Sequence, residues 1–329
     1  MYSEFFGLQR APFYLTPDPE FLYLTTQHRE ALAGLTYAIL ARNGFVVLTG
    51  GAGTGKTTLL TRILGRLAET RIRSSVIVNP TLTPAEFLEA ILLDFGLQDI
   101  PASKARRIAV LQGFLWTTFR AGKIAALIVD EAHKLTPELI EEIRLLGNFE
   151  SANEKLLQVV LVGQSELDDL LNRESLCQFK QRISLRLTIG PLAENEVGRY
   201  IQYRWGRAGG GKAPFSADAI AAIAVASEGI PRVINVICDN ALIMAVAEHS
   251  PAVEPRHVLT VCRELQFSAP PVKPTEEAAA ALPVSPPETP TVEALPIKAL
   301  ERYETAAARR SLLARLATKL KFMQRTEPA

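Results

Sequence analysis

The run Gly50-Gly51-Ala52-Gly53-Thr54-Gly55-Lys56-Thr57-Thr58 constrains the fold more than any other part of the chain. It is preceded by the apolar run FVVLT at 45–49 and followed by the helix-forming TTLLTRILGRL at 57–67. Glycines at this spacing let main-chain N–H groups turn inward toward an anion, and the start of the following helix adds a favourable dipole. Within Gly50-x4-Gly55-Lys56-Thr57, the lysine is placed to reach β- and γ-phosphates and the threonine hydroxyl to hold Mg²⁺. The plainer alternative is a Gly-rich turn with no ligand. The phosphate reading requires the loop to join the end of a strand to the start of a helix, and so requires a sheet.

Four more apolar, β-branched runs supply that sheet: SSVIVN at 74–79, IAALIVDE at 124–131, QVVLVG at 158–163 and SLRLTI at 184–189. Runs of this kind suit strands buried on both faces, and the segments between them are long enough for helical crossovers. The expectation is an α/β sandwich with a five-stranded parallel sheet over residues 1–190. After Pro191 only helical periods remain, with caps and Gly breaks, so 191–266 should form a second, all-α unit of about four helices. Residues 267–296 hold eight prolines and read as a Pro/Ala-rich linker. In 297–324, Leu312, Leu316, Leu320 and Met323 form one apolar stripe opposite Arg and Lys, the pattern of a basic amphipathic helix.

Charge follows this division. The chain has a net charge of +1, with +4 in 291–329, −2 in 267–290 and −1 in the first 266 residues. A neutral body gives no support to a broad nucleic-acid-binding surface. The longest apolar stretches, such as IAALIV and ALIMAVA, are far too short to span a bilayer, and the N-terminus lacks the basic-then-apolar layout of a secretory signal. The three cysteines, Cys177, Cys238 and Cys262, include no C-x-x-C pair; they read as small core residues in a reducing, cytoplasmic setting.

Other candidate site residues lie at strand ends. Asp130 and Glu131 close the apolar run IAALIV, where an Asp organises Mg²⁺ and a following Glu polarises attacking water; otherwise they cap the next helix. His133 and Lys134 read as surface helix residues. Gln164 follows QVVLVG, where a polar side chain touches the γ-phosphate or positions the water. Arg182, Arg186 and Arg232 offer cations for the charge that develops in phosphoryl transfer, though a single arginine is commonly just a surface charge.

The order of P-loop, Asp130-Glu131, Gln164, Arg182 and Gly229-x-Pro231-Arg232, followed by a helical lid, resembles AAA+ ATPases. FFGLQRAPFYLTPDPEFLYLTTQHREAL, LLGNFE, LVGQSEL, QRISLRLTIGPL, YIQYRWGRAG and GIPRVINVICDNALI look like the general secretion pathway protein A group, over about residues 1–265. That resemblance implies ATP hydrolysis coupled to homo-oligomerisation. It implies Gln164 as first sensor, Arg182 as a finger given to a neighbouring subunit, Arg232 as second sensor, and apolar contacts to the base from residues 14–32. Longer members carry a membrane-spanning helix and a peptidoglycan-binding domain, patterns not found in this sequence. Ser165 stands where the group often has proline, and His133 where it often has glutamine.

The functional expectation is an ATP- and Mg²⁺-dependent ATPase serving an envelope process: secretion, a pilus, or exopolysaccharide and exosortase machinery. It would be cytoplasmic and peripheral at the inner membrane, with 297–324 meeting lipid or an envelope-machinery protein. The alternative is a DNA-associated ATPase of the transposition-helper type, motivated by SKARR at 103–107 and RIR at 71–73. A third reading is a nucleotide-dependent scaffold with little turnover, which the intact Lys56, Thr57, Asp130 and Glu131 argue against.

Overall fold

A computed structural model describes residues 2–68, 71–152 and 154–267. The expected linker and the expected amphipathic helix therefore lie outside the described residues, apart from Phe267.

Five strands, β1 (Phe45–Gly50), β2 (Ile72–Ile77), β3 (Ile124–Val129), β4 (Leu157–Gly163) and β5 (Ile183–Ile189), form one sheet in the order β2-β3-β4-β1-β5. Every pairing is parallel. Parallel neighbours need crossovers, and the helices supply them. In chain order they are α1 (Tyr2–Phe5), α2 (Thr26–Leu40), α3 (Lys56–Ala68), α4 (Pro84–Asp94), α5 (Lys104–Arg120), α6 (Pro137–Leu146), α7 (Glu166–Leu171), α8 (Cys177–Lys180), α9 (Glu194–Arg207), α10 (Ala217–Ser227), α11 (Pro231–Ala247) and α12 (Pro255–Glu264).

Alternate residues of each central strand enter opposite cores, as the pleat dictates. Val46, Leu48, Ala126, Ile128, Val160 and Val162 pack under α2 and α3. Phe45, Val47, Leu127, Val129, Val159 and Leu161 pack under α4 to α8. β1, β3 and β4 are buried throughout, as their apolar runs predict. β5 departs from that prediction: its burial alternates, because it is an edge strand with only one face covered. Leu185 and Leu187 meet α2 at Gly34, while Arg186 on the open face pairs with Asp168 at 3.1 Å. β2 begins two residues before the predicted SSVIVN run, because Ile72 already pairs with Ile124.

The third core belongs to α9–α12, and the start of the chain joins it. Tyr2, Leu8, Phe13 and Phe21 pack there with Val197, Ile237 and Leu242. The first 21 residues therefore extend the helical layer, although the sequence pattern groups them with the sheet. Where the chain enters and leaves the pair α9–α10, the two connections touch. Leu192 N–H donates to the Gly229 carbonyl at 2.8 Å. Gly229 adopts φ +72°, and a Cβ there would collide with the Leu192 carbonyl oxygen.

Of the cysteines, Cys238 and Cys262 are buried as expected, but Cys177 is exposed at the start of α8. An apolar-leaning residue type alone does not reveal on which side of a one-turn helix it lies.

Candidate functional site

The predicted strand-loop-helix is present. β1 ends at Gly50, α3 begins at Lys56, and Gly53 (φ +76°) and Gly55 (φ +99°) take backbone conformations that side chains resist. His28 of α2 fixes the loop from behind. It is 2% exposed, and its Nε2 lies 3.1 Å from the Thr54 carbonyl oxygen while its Nδ1 lies 2.7 Å from Thr25 Oγ1. A carbonyl only accepts, so Nε2 carries the ring proton. Burial lowers the His28 pKa, which keeps the ring neutral in that role. Thr25 also caps α2 by accepting from the His28 main-chain N–H at 3.2 Å, so one hydroxyl both starts the helix and orients the ring.

Lys56 is 7% exposed and donates to the carbonyls of Gly50 (2.7 Å) and Gly51 (2.8 Å). Burial lowers its pKa, opposed by Asp130 and Glu131. A phosphate would offer this ammonium a stronger, charged acceptor than the two carbonyls. At the end of β3, Asp130 is 3% exposed; its Oδ2 accepts from Thr57 Oγ1 at 3.1 Å and its Oδ1 from the Glu131 main-chain N–H at 2.9 Å. Burial raises its pKa, so keeping this carboxylate charged without a full counter-charge costs the protein stability. A buried carboxylate oxygen beside a hydroxyl is the hard donor chemistry that Mg²⁺ accepts. The described residues contain no cluster of three or more His, Cys, Asp or Glu, which leaves Thr57 and Asp130 as the fitting pair.

Glu131 sits in the left-handed region at φ 54° and opens a 3-10 turn over Ala132–Lys134. His133 corrects the surface-helix expectation. Its side chain is 13% exposed, with Nε2 at 3.4 Å from Glu131 Oε2 and Nδ1 accepting from the Gln164 main-chain N–H at 3.3 Å. Lys134 remains exposed, as expected.

A cleft of about 590 Å³ unites these groups with the helical layer. Ala52 to Thr58, Glu131 and Gln164 line it from the sheet side, and Arg232 from α11. Arg232 also ties the layers together through its main-chain N–H, which donates to the Gly53 carbonyl at 3.3 Å. Gly50, Gly51 and Asp130 do not line it but bond to Lys56 and Thr57, which do. Arg182 is not brought to this site. It precedes β5 at the N-terminal ends of the strands, where Phe45 pairs with Ile183, whereas the loop follows the C-terminal end of β1; it donates to Asn148 Oδ1 (2.5 Å) and the Arg144 carbonyl (3.2 Å).

The far end of the cleft is hardly visible in the sequence. Tyr14, Phe21 and Tyr23 of the N-terminal segment face Tyr200, Arg204 and Asn235 of the helical layer. Arg204 is 8% exposed with no carboxylate in salt-bridge range among the described residues; its Nε donates to the Pro12 carbonyl at 2.6 Å and its guanidinium lies 5.0 Å from the centre of the Phe21 ring. Tyr200 donates to Asn235 Oδ1 at 2.8 Å. The aromatic residues of 14–32 are the available signal, but only contacts across some 190 positions show which ones matter.

A parallel sheet in this order, with a glycine-rich loop, strand-end carboxylates and a helical layer over the cleft, defines a P-loop nucleotide protein of the AAA+ class. Residues 40–171 match the family model described as AAA domain. The Aeropyrum pernix ORC2 protein, solved as ADPNP–ADP complexes, superposes with a TM-score of 0.57 at 16% identity, covering 76% of this chain and 69% of that one. Cdc6p from Pyrobaculum aerophilum gives 0.58 at 18% identity, covering 77% and 69%. At such identities these likenesses speak for the fold alone. General secretion pathway protein A of Aeromonas hydrophila is 42% identical over 252 residues, 76% of this chain. The chain is thus an AAA+ protein related to general secretion pathway protein A, and it spans 46% of that relative's length. No described helix is long and apolar enough to cross a membrane.

Proposed function

We propose that the chain is a Mg²⁺-dependent ATPase that acts as a homo-oligomer in an envelope process such as secretion, pilus assembly or exopolysaccharide export. The observation that carries this reading is the convergence of Lys56, the Thr57–Asp130 pair, Glu131 and Gln164 with Arg232 of the helical layer on one cleft. Lys56 leaves the loop carbonyls for the β- and γ-phosphates, which the loop N–H groups and the α3 dipole also attract. Thr57 and Asp130 hold Mg²⁺, which when bound neutralises charge developing on the phosphate oxygens. Glu131 accepts the proton of the attacking water, Gln164 orients that water against the γ-phosphate, and Arg232 adds positive charge from the lid.

Arg182 serves another copy. Its place at the N-terminal end of β5, away from its own loop, and the resemblance to AAA+ ATPases support this role, which makes turnover depend on assembly. The envelope role rests on the 42% identity to general secretion pathway protein A, and the cytoplasmic, membrane-peripheral location on the same relative together with the expected helix at 297–324.

The test is the ATPase rate against protein concentration for wild type, Glu131→Gln and Arg182→Ala, each with anionic liposomes or with duplex DNA. The expected result is a rate that climbs with concentration, is lost in both variants and responds to liposomes. A rate proportional to protein in wild type and unaffected by Arg182→Ala removes the assembly step. Stimulation by DNA alone replaces the envelope role with the transposition-helper reading.

A further inference from the structure

We infer that His133 is a positioning residue for hydrolysis, an imidazole that holds the carboxylate of Glu131 by bridging it to the main chain at Gln164. The inference rests on the hydrolytic reading above and adds a residue to it.

The ring has one state that satisfies its neighbours. Nδ1 accepts from the Gln164 main-chain N–H at 3.3 Å, so the ring proton is on Nε2. Two polar atoms lie near Nε2: Glu131 Oε2 at 3.4 Å and the Gln164 side-chain nitrogen at 3.5 Å. The amide nitrogen is itself a donor, so the carboxylate oxygen is the group that Nε2–H can serve, through a close polar approach at 3.4 Å and not an aligned hydrogen bond. Lys134 Nζ, at 3.8 Å, draws the same Oε2. Glu131 is held from the other side as well, through its left-handed backbone and its N–H bond to Asp130 Oδ1. The result is a carboxylate with one oxygen, Oε2, approached by both His133 and Lys134. Oε1 has no hydrogen-bond partner among the described residues, on a side chain that lines the cleft.

A general base works when its rotamer is fixed before the water arrives, and a neighbouring group that locks the rotamer does this without touching substrate. His133 also joins the two strand ends that handle the water, Glu131 after β3 and Gln164 after β4, into one unit. The 3-10 turn is packed tightly enough to hold it: a Cβ at Gly163 would come within 3.2 Å of the His133 main-chain nitrogen.

The experiment compares steady-state kinetics of wild type, His133→Ala, His133→Asn and His133→Gln, and repeats His133→Ala in a Glu131→Gln background. Melting temperature and affinity for a non-hydrolysable ATP analogue serve as folding controls. His133→Ala should lower kcat about tenfold with KM for ATP changed less than about twofold. His133→Gln, whose amide both donates and accepts over a similar reach, should recover most of the rate; the shorter Asn should not. In the Glu131→Gln background the alanine should cost less than about twofold, because the group it positions is already gone.

A kcat for His133→Ala or His133→Asn within about twofold of wild type overturns the inference, as does an equal proportional loss in the Glu131→Gln background or a change confined to KM. If His133→Ala does not fold, the Gln and Asn pair carries the test. Absence of turnover in wild type under all conditions overturns the hydrolytic reading and this inference with it. Turnover that needs Glu131 but ignores His133 overturns this inference alone.

Discussion

The two ends of the cleft are built in different ways. The phosphate end is assembled from the C-terminal ends of neighbouring strands, so Lys56, Asp130, Glu131 and Gln164 are each placed by main-chain hydrogen bonds of one parallel sheet. The lid end is assembled by side-chain packing between the N-terminal segment and α9–α11, with Arg204, Tyr200 and Asn235 meeting Phe21 and Tyr23. A sheet is a rigid template and a packed aromatic seam is a yielding one. On the proposed function, chemistry belongs to the first end, and the second end supplies the lid side of the nucleotide cleft.

Substitutions that separate the ends should differ in kind. The largest effect is expected from Lys56→Ala, which should weaken nucleotide binding by about 100-fold or more in equilibrium titration. Glu131→Gln should keep binding and lower turnover by about 100-fold. Arg232→Ala, from the lid side, should lower turnover about tenfold in a single-turnover assay, with a smaller change in affinity. A loss as large as that of Lys56→Ala would erase the division between the ends.

Asp130→Asn tests the strain of the rigid end. Burial raises the Asp130 pKa, so the native state holds its proton more tightly than the unfolded chain. Stability is therefore greatest below the ordinary carboxyl range and is lost as pH rises through the folded value, leaving the full cost in place at neutral pH. The asparagine variant should melt about 2–4 °C higher in scanning calorimetry at neutral pH without nucleotide, while losing Mg²⁺-dependent nucleotide binding.

The smallest effect concerns His28, whose pKa is lowered by burial. Stability from its neutral form is present above the ordinary histidine value of 6.5 and is lost as pH falls through the lowered one. His28→Gln, which keeps a donor toward Thr54, should flatten the acid side of a denaturation profile by about 1 kcal/mol or less.

Legibility in the sequence follows the same division. The P-loop can be read because its residues are contiguous and its flanking strand and helix carry their own patterns. Asp130, Glu131 and Gln164 can be read because each ends an apolar run. Arg204 cannot, since its partners Pro12 and Phe21 lie far back in the chain and nothing in an arginine at helical spacing announces a buried cation. His133 escapes the sequence for a local reason. The left-handed turn at Glu131 swings the next residues back over the strand ends, and no residue type there signals φ > 0. The alternating burial of β5 escapes it because an edge position is a property of the sheet and not of the strand.

The contact between Leu192 and Gly229 closes α9 and α10 into an excursion that leaves and re-enters the protein at one point. Chain length inside such a closed excursion is decoupled from the position of the elements after it. Residues added at the exposed Gly211–Lys212 should lengthen the excursion at little entropic cost and leave α11, with Arg232 on it, where it was. A single added methyl at Gly229 would overlap the Leu192 carbonyl oxygen and force the two connections apart. In this region the protein tolerates an insertion of several residues better than one misplaced carbon.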